Sequence, residues 1–193
     1  QKDEYDSISI IDQKENIGKK ILGVEVIGSD DDMTSLYKSG YKYAFISLGS
    51  IGNPDKRIKL FNIIKDIGFK LPNIIDISSI VSNNAKIGQG VFIAKGAIIN
   101  AGAVIGDISI INTSVIVEHD CNIGKFVHIA SGTVLGGNVI IKDNSHIGSN
   151  TSIRNNLKIG SNTIIGIGSV VTKNIDDNVL GYGNPCKIIS YKI

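Results

Sequence analysis

Aliphatic residues occupy every sixth position of the chain from Val81 to Val171, and no insertion breaks this spacing. An α-helix repeats every ~3.6 residues and cannot keep a six-residue stripe on one face. A strict short period therefore predicts a solenoid, in which short strands are joined by a bend every six residues. The first positions of successive hexads are Val81, Ile87, Ile93, Ile99, Ile105, Ile111, Val117, Ile123, Ile129, Leu135, Ile141, Ile147, Ile153, Ile159, Ile165 and Val171.

The other hexad positions agree with a triangular coil. The aliphatic residue points inward from the middle of a flat side, and the fifth position is mostly small enough for an inner corner, with Leu157 and Ile175 as bulky exceptions. Gly is frequent at the second position, where we expect the bend to need backbone angles that a side chain would forbid. Three sides close a coil of about 18 residues, so the stretch makes roughly five coils. A β-sandwich is disfavoured because it needs longer turns and irregular spacing.

The residues before the hexads alternate short apolar runs with helical patterns. This alternation predicts a small parallel α/β domain over 1–75, followed by the solenoid over 78–177 and a tail over 178–193 that forms a cap or arm. Because a solenoid must cover its open ends, capping is the structural alternative for the α/β domain. The predicted strands are 8–11, 23–28, 43–48 and 73–75, one predicted helix ends at Gly40, and a second begins at Asn53-Pro54 and ends at Gly68.

Composition argues against several classes of function. The 193 residues include 20 basic and 18 acidic side chains, a net charge of +2, and no basic cluster with interleaved aromatic residues, so dedicated nucleic-acid binding is disfavoured. Two cysteines, Cys121 and Cys186, do not make a disulfide framework, and Cys121 occupies a small inward position that predicts a buried thiol. No apolar run approaches a membrane span and the start does not read as a signal peptide, so a soluble cytoplasmic protein is expected.

The chain has three histidines, the residues best suited to acid–base chemistry near neutral pH. His119 is third in its hexad and faces outward, so it can act as a general base whose imidazole is oriented by Asp120 or Glu118. An ordinary surface histidine is the structural alternative. His128 and His146 are both sixth in their hexads and one coil apart, so their backbones stack at roughly 5 Å. Such a pair could bind a metal or line a cleft.

Three segments together resemble one family of enzymes. The first is Asp12 after a strand, with the run FISLG at 45–49 downstream; the second is INTSVIVEHDC at 111–121 with IGKFVH at 123–128; the third is GYGNPCK at 181–187. The hexads alone are typical of hexapeptide-repeat acyltransferases, and the His-Asp-Cys segment with its downstream histidine is more specific. Over nearly its whole length the chain resembles the bacterial sugar acetyltransferases of the sialic-acid O-acetyltransferase and bacillosamine N-acetyltransferase group.

This resemblance implies a mainly β fold, a left-handed parallel β-helix preceded by a small Rossmann-like α/β domain that binds the acceptor. It implies acetyl transfer from acetyl-CoA, without a metal, to an amino or hydroxyl group of a nucleotide-linked amino sugar or a sialic acid in bacterial surface-glycan synthesis. A homotrimer with clefts between subunits is also implied. The implied site residues are His119 and Asp120 for catalysis, Asp12, Gly49, Asn112 and His128 for the acceptor, and Gly137, Ser149, Ile167, Pro185 and Lys187 for the coenzyme; His146 is left with a surface role.

Two departures from the family pattern bear on the acceptor. Members usually open with a strand and a glycine-rich loop that contacts the nucleotide, and this sequence contains no such loop; Asp76 stands where relatives often have His. Two further classes of function stay open. The γ-carbonic anhydrases share this β-helix and bind zinc through three histidines, but their ligands include a closely spaced pair that this sequence lacks. A β-helix can also be a non-catalytic scaffold.

Overall fold

The computed structural model describes residues 5–191. The ends of the first and last predicted segments, residues 1–4 and 192–193, lie outside the described residues. Most of the N-terminal stretch that was predicted not to be a signal peptide lies outside them as well. The chain divides into two compact units. One extends up to Ala44 and includes 63–70, and the other comprises 45–62 together with the chain from Leu71 onward.

A small mixed sheet forms the first unit, with strand order β1-β3-β2. β1 pairs in parallel with β3, and β2 pairs antiparallel with β3. Ser29 and Asp32 form a capping box ahead of α1, which ends at Gly40 with φ of 122°, as predicted. The bounds are β1 Ile10–Ile11, β2 Lys20–Ile21, β3 Val24–Gly28, 3-10 helices Lys14–Asn16 and Asp30–Asp32, and α1 Met33–Ser39.

Two strands predicted for the α/β domain are corrected. The strand predicted over 43–48 is wrong: Tyr43 forms one isolated bridge with Lys70, and the rest of the run forms no strand. The strand predicted at 73–75 exists as β4, Ile74–Ile75, but it belongs to the first coil of the solenoid. A continuous parallel α/β sheet over 1–75 is therefore not formed by the described residues.

The helix predicted from Asn53-Pro54 is α2, Asp55–Ile67. The Asn53 side chain accepts the N–H of Asp55 at 2.8 Å, as an N-cap does, and Gly68 follows the last turn with φ of 101°. None of the helices that residues 5–191 form combines the length and the apolar character needed to cross a membrane.

The hexads form the predicted coils. Each two-residue strand from β4 to β20 pairs in parallel with the strand one coil away, as in the pairing of Ile110 with His128. The strands thus form three parallel sheets, one for each side of the coil. The strands are β4, β5 Ile80–Val81, β6 Lys86–Ile87, β7 Phe92–Ile93, β8 Ile98–Ile99, β9 Val104–Ile105, β10 Ile110–Ile111, β11 Ile116–Val117, β12 Asn122–Ile123, β13 His128–Ile129, β14 Val134–Leu135, β15 Ile140–Ile141, β16 His146–Ile147, β17 Ser152–Ile153, β18 Lys158–Ile159, β19 Ile164–Ile165 and β20 Val170–Val171.

We number the three sheets in the order in which the chain visits them. Sheet 1 contains β4, β7, β10, β13, β16 and β19, sheet 2 contains β5, β8, β11, β14, β17 and β20, and sheet 3 contains β6, β9, β12, β15 and β18. The tail is not a separate arm, because β21 (Val179–Tyr182) adds to sheet 1 beside β19 and β22 (Lys187–Tyr191) folds back against it as a hairpin.

The interior is the stack of hexad positions one and five. First-position residues such as Ile129 and Leu135 have 0% of their surface exposed. Polar residues at the fifth position are buried too, and their hydroxyl or thiol groups donate to backbone carbonyls: Ser109 to Gly124 at 2.8 Å and Cys121 to Gly136 at 3.2 Å. These buried polar groups are therefore hydrogen-bonded and do not destabilise the core.

The corners correct the role predicted for glycine. Left-handed backbone angles fall at the fourth hexad position, where they are adopted by Asp120, Asn138 and Asn156 as well as by Gly102. Second-position glycines are needed for a different reason: a Cβ on Gly106 would lie 2.5 Å from the backbone of Gly124 in the next coil. Asn is common at the fourth position because its short polar side chain tolerates this conformation.

The core predicts a sharp response to one substitution. Ile129→Asn places an amide without partners inside the coil, and we expect it to lower the free energy of unfolding by about 3–5 kcal/mol. Ile129→Val, the matched control, should cost only about 1 kcal/mol. Denaturant unfolding of both variants tests this, and equal stability of wild type and Ile129→Asn would contradict the hexad register.

Candidate active site

His119 lies at the corner between sheets 2 and 3, directly after β11, and its side chain is 60% exposed. Its Nδ1 is 2.9 Å from Oδ2 of Asp120. A carboxylate can only accept, so Nδ1 carries the proton and Nε2 keeps its lone pair. The hydrogen bond to Asp120 raises the pKa of His119, and the negative charges of Asp120 and Glu118 add to this effect. Glu118 accepts only the backbone N–H of His119, at 3.4 Å, so Asp120 is the carboxylate on the ring.

The corner geometry places Asp120 for this contact. Asp120 is a fourth-position residue with φ of 60°, a conformation that Asp adopts more readily than most side chains. Its other carboxylate oxygen lies over Gly102, one coil earlier, where a Cβ would collide with it. The absence of a side chain at Gly102 thus leaves room for the carboxylate that orients His119.

Gly137 lies one coil after His119 and forms the other wall of the corner. A Cβ on Gly137 would lie 2.5 Å from Nε2 of His119, so the imidazole rests against bare backbone. The His119 carbonyl accepts the N–H of Asn138 at 2.9 Å, which keeps the two coils in register. Within residues 5–191 the N–H of Gly137 donates no hydrogen bond. A basic nitrogen therefore lies beside an available backbone donor, the pair of groups that acyl transfer requires.

A second group of predicted residues lies on the opposite edge of sheet 2. Asn112 follows β10 at the corner between sheets 1 and 2, with its Oδ1 accepting the N–H of Thr113 at 2.7 Å and its Nδ2 lying 3.4 Å from Nε2 of His128. Ser149 and Ile167 lie at the same corner in later coils, and Ile167 is 79% exposed. The predicted site residues of the solenoid thus fall into two groups separated by the width of sheet 2.

The predicted stacking of His128 and His146 is confirmed. The residues pair across β13 and β16, and their ring centroids lie 4.9 Å apart in an edge-to-face arrangement. The surface role expected for His146 is wrong, because only 9% of this residue is exposed. Among residues 5–191 there is no group of three or more His, Cys, Asp or Glu side chains that could hold a metal ion.

The sequence did not predict that the segment 45–52 covers sheet 1, nor that the side chain of Arg57 holds it there. Ser50 accepts a hydrogen bond from Nδ1 of His128 at 2.6 Å. Arg57 of α2 is 2% exposed and donates to backbone carbonyls on both the segment and the coil. A signal was present, since Arg57 shares a helical stripe with Phe61 and Ile64, where a cation is out of place.

The remaining predicted residues are scattered. Asp12 follows β1, and its carboxylate accepts from the N–H of Gln13 and from the side chain of Asn16, so it closes a local turn. Gly49 does not end a parallel strand as predicted, because the run around it forms no strand. Pro185 lies in the β21–β22 connection, and Lys187 is the exposed first residue of β22.

The environments of His119 and His128 predict pKa shifts in opposite directions. We expect the pKa of His119 to lie above the ordinary histidine value of about 6.5 because Asp120 stabilises the charged ring, and the pKa of His128 to lie below it because the ring is desolvated. In Asp120→Asn, which keeps the left-handed backbone, the pKa of His119 should fall and that of His128 should not move. Side-chain NMR titration measures both; an unchanged His119 would contradict the role of Asp120.

Several solved structures share this fold. A variant of GDP-perosamine N-acetyltransferase from Caulobacter crescentus, in complex with CoA and GDP-perosamine, is 34% identical, with 94% of this chain and 84% of that chain covered and a TM-score of 0.87. The acetyltransferase domain of PglB from Neisseria gonorrhoeae, in complex with acetyl coenzyme A, is 33% identical, with 96% and 87% covered and a TM-score of 0.87. WeeI from Acinetobacter baumannii is 28% identical, with 94% and 85% covered and a TM-score of 0.84.

No family model and no curated protein matches the chain. The similarity to the Caulobacter and Neisseria enzymes nevertheless extends over almost the whole chain. The chain therefore belongs to the hexapeptide-repeat family of acetyl-CoA-dependent sugar N-acetyltransferases.

Proposed function

We propose that this protein transfers the acetyl group of acetyl-CoA to the amino group of a nucleotide-linked amino sugar, with His119 as the general base. The observation that carries the proposal is the corner in which Nε2 of His119, held by Asp120, lies against the backbone of Gly137, whose N–H donates no hydrogen bond within residues 5–191. Relatives that bind CoA together with GDP-perosamine, or acetyl coenzyme A alone, support both substrates.

His119 supplies the proton acceptor. Because Nδ1 donates to Asp120, the lone pair of Nε2 is free to take the proton that the amine loses as its nitrogen attacks the acetyl carbon. Asp120 stabilises the imidazolium formed in this step, and the proton then passes to the departing thiolate sulfur. The base must be neutral at the start, so activity should rise as pH increases through the raised pKa of His119.

Gly137 supplies a backbone hydrogen-bond donor to the site. Its N–H is the donor proposed for the acetyl oxygen, on which negative charge develops during attack. Acetyl-CoA brings the activated thioester, and we assign its remaining contacts to Ser149, Ile167, Pro185 and Lys187. Lys187 is exposed and can meet a phosphate of the coenzyme.

The acceptor is assigned to Asn112 and His128, with Asp12 and Gly49 as the proposed contacts to its nucleotide. An amino group is preferred over a hydroxyl group because the similar enzyme from Caulobacter crescentus is named for N-acetyl transfer. Acetylation of a sialic acid hydroxyl, in a pathway of bacterial surface glycans, is the alternative. Assaying nucleotide amino sugars and sialic acids side by side decides between them.

A homotrimer built on left-handed coils is the proposed assembly. In one chain His119 and Asn112 lie on opposite edges of sheet 2, roughly 15–20 Å apart for a side of six residues, so a cleft needs a second subunit. The outward residues of sheet 2 are aliphatic except for Ser152, which favours burial against a copy of the same sheet. They are Ile80, Ile98, Ile116, Val134, Ser152 and Val170. Three such flat faces close a triangular ring in which one edge meets the other edge of the neighbour.

Removing the base tests the proposed chemistry. His119→Ala should lower kcat at least about a hundredfold, the low end for general acid–base catalysis, with little change in acetyl-CoA affinity. Lys173→Ala, an exposed third-position residue at the same corner, is the matched control and should be close to wild type. Full activity of His119→Ala would remove His119 from the mechanism.

A pair of surface substitutions tests the assembly. Val134→Lys on sheet 2 should break the trimer, because it would bury a charge, whereas Ile140→Lys on sheet 3 should leave it intact. The two residues are almost equally exposed within one chain, at 37% and 39%. Light scattering at micromolar concentration measures the outcome; an active wild-type monomer would contradict the trimer.

A further inference from the structure

We propose that Arg57 and the segment 45–52 are a positioning device that holds the ring proton of His128 on Nδ1 and thereby aims the amide of Asn112 at the acceptor. The inference rests on the function proposed above, in which Asn112 and His128 face the sugar. It assigns a role to a buried arginine that the acetyl-transfer chemistry itself does not use.

The segment lies across the strands of sheet 1. At its start the ring of Phe45 lies 6.3 Å from the ring of Phe92 in β7, and near its end Gly52 packs so closely on Ile164 in β19 that a Cβ would lie 2.7 Å away. Between these points Ser50 contacts His128 in β13. The segment forms no strand, so side chains rather than a ladder of backbone hydrogen bonds hold it.

Arg57 is the main side chain that holds the segment. Its guanidinium donates to the carbonyls of Ile46, at 3.3 Å, and Leu48 on the segment and to that of Ile108, at 2.7 Å, on the coil. Burial lowers the pKa of Arg57 to about 10, so the group keeps its charge at neutral pH. The ion pairs formed by residues 5–191 do not include Arg57. The planar guanidinium directs two of its nitrogens at these carbonyls, Nη1 toward the segment and Nη2 toward the coil.

The segment in turn sets the state of His128. A backbone carbonyl only accepts, so the 2.6 Å contact with Ser50 places the proton of the ring on Nδ1. Burial is the largest effect and lowers the pKa of His128, the hydrogen bond to Ser50 raises it, and the positive charge of Arg57 lowers it. In the ring with its proton on Nδ1, Nε2 carries a lone pair that can accept an N–H.

Asn112 supplies that donor. Its Nδ2 lies 3.4 Å from Nε2 of His128, and its Oδ1 accepts the N–H of Thr113 at 2.7 Å, so the two contacts specify which way the amide is turned. Nδ2 carries a second N–H, which remains to be donated to an oxygen or nitrogen lone pair of the acceptor. A protonated His128 could not accept from Asn112, and the amide would lose this orientation.

The test uses ¹⁵N-histidine NMR of the whole protein together with steady-state kinetics. In wild type we expect His128 to show a protonated Nδ1, an unprotonated Nε2 and a pKa below that of His119. In Arg57→Met the ring should become a mixture of the two tautomers. With a nucleotide amino sugar as acceptor, its KM should rise at least about fivefold, the factor for one lost hydrogen bond, with the acetyl-CoA KM unchanged. Lys59→Met, exposed on the same helix, is the matched control and should change neither readout.

Asn112→Asp keeps the proposal testable if Arg57→Met fails to fold. The carboxylate can still accept from Thr113 but cannot donate to Nε2, so His128 should become protonated on Nε2. Wild-type protein with the proton of His128 on Nε2, or Arg57→Met with an unchanged His128 spectrum, would overturn the proposal. The spectrum needs no acceptor, so a wrong acceptor assignment, which would show as absent turnover, cannot be mistaken for failure of the positioning device.

Discussion

The hydrogen bonding of each coil to the coil one turn later is the constraint on which the rest of the structure depends. The pairing keeps first-position residues such as Ile111 and Ile129 in one continuous stack. It also fixes which residues of distant sequence become neighbours, because a residue always lies beside those one coil before and after it. His119 meets Gly137, Asp120 meets Gly102 and His128 meets His146 for this reason alone. The same pairing of coils therefore determines both the packing of the core and the geometry of the site.

The corners show how the fold accommodates the chemistry. From Gly90 to Gly168 every fourth-position residue has a left-handed backbone, and Asp is among the few side chains that adopt it at low cost. Asp120 satisfies that demand and at the same time presents its carboxylate to the neighbouring imidazole. The position that the bend restricts is thus the position from which the base is oriented. Glycines at 102 and 137 then clear the space that the carboxylate and the ring occupy.

The sequence predicted the solenoid closely because its rule is local, one aliphatic residue in six. His119 and its partner were predicted from the same rule together with the family resemblance. The strand at 43–48 was predicted from apolar composition, but the carbonyls of Ile46 and Leu48 accept from the Arg57 side chain, a contact that apolar composition does not reveal. The burial of His146 was missed for the same reason, since hexad position says that a side chain points out of the coil but not whether another segment covers it.

Stability and activity place different demands on the repeat. A whole additional coil between His119 and Gly137 would satisfy every rule of the core, because aliphatic, small and left-handed positions would still align. The same insertion would replace Gly137 beside the imidazole by another residue and move the proposed oxyanion donor a further ~4.8 Å away from the base. Selection for folding alone thus leaves the number of coils free, whereas acetyl transfer requires Gly137 to follow His119 by one turn and no more.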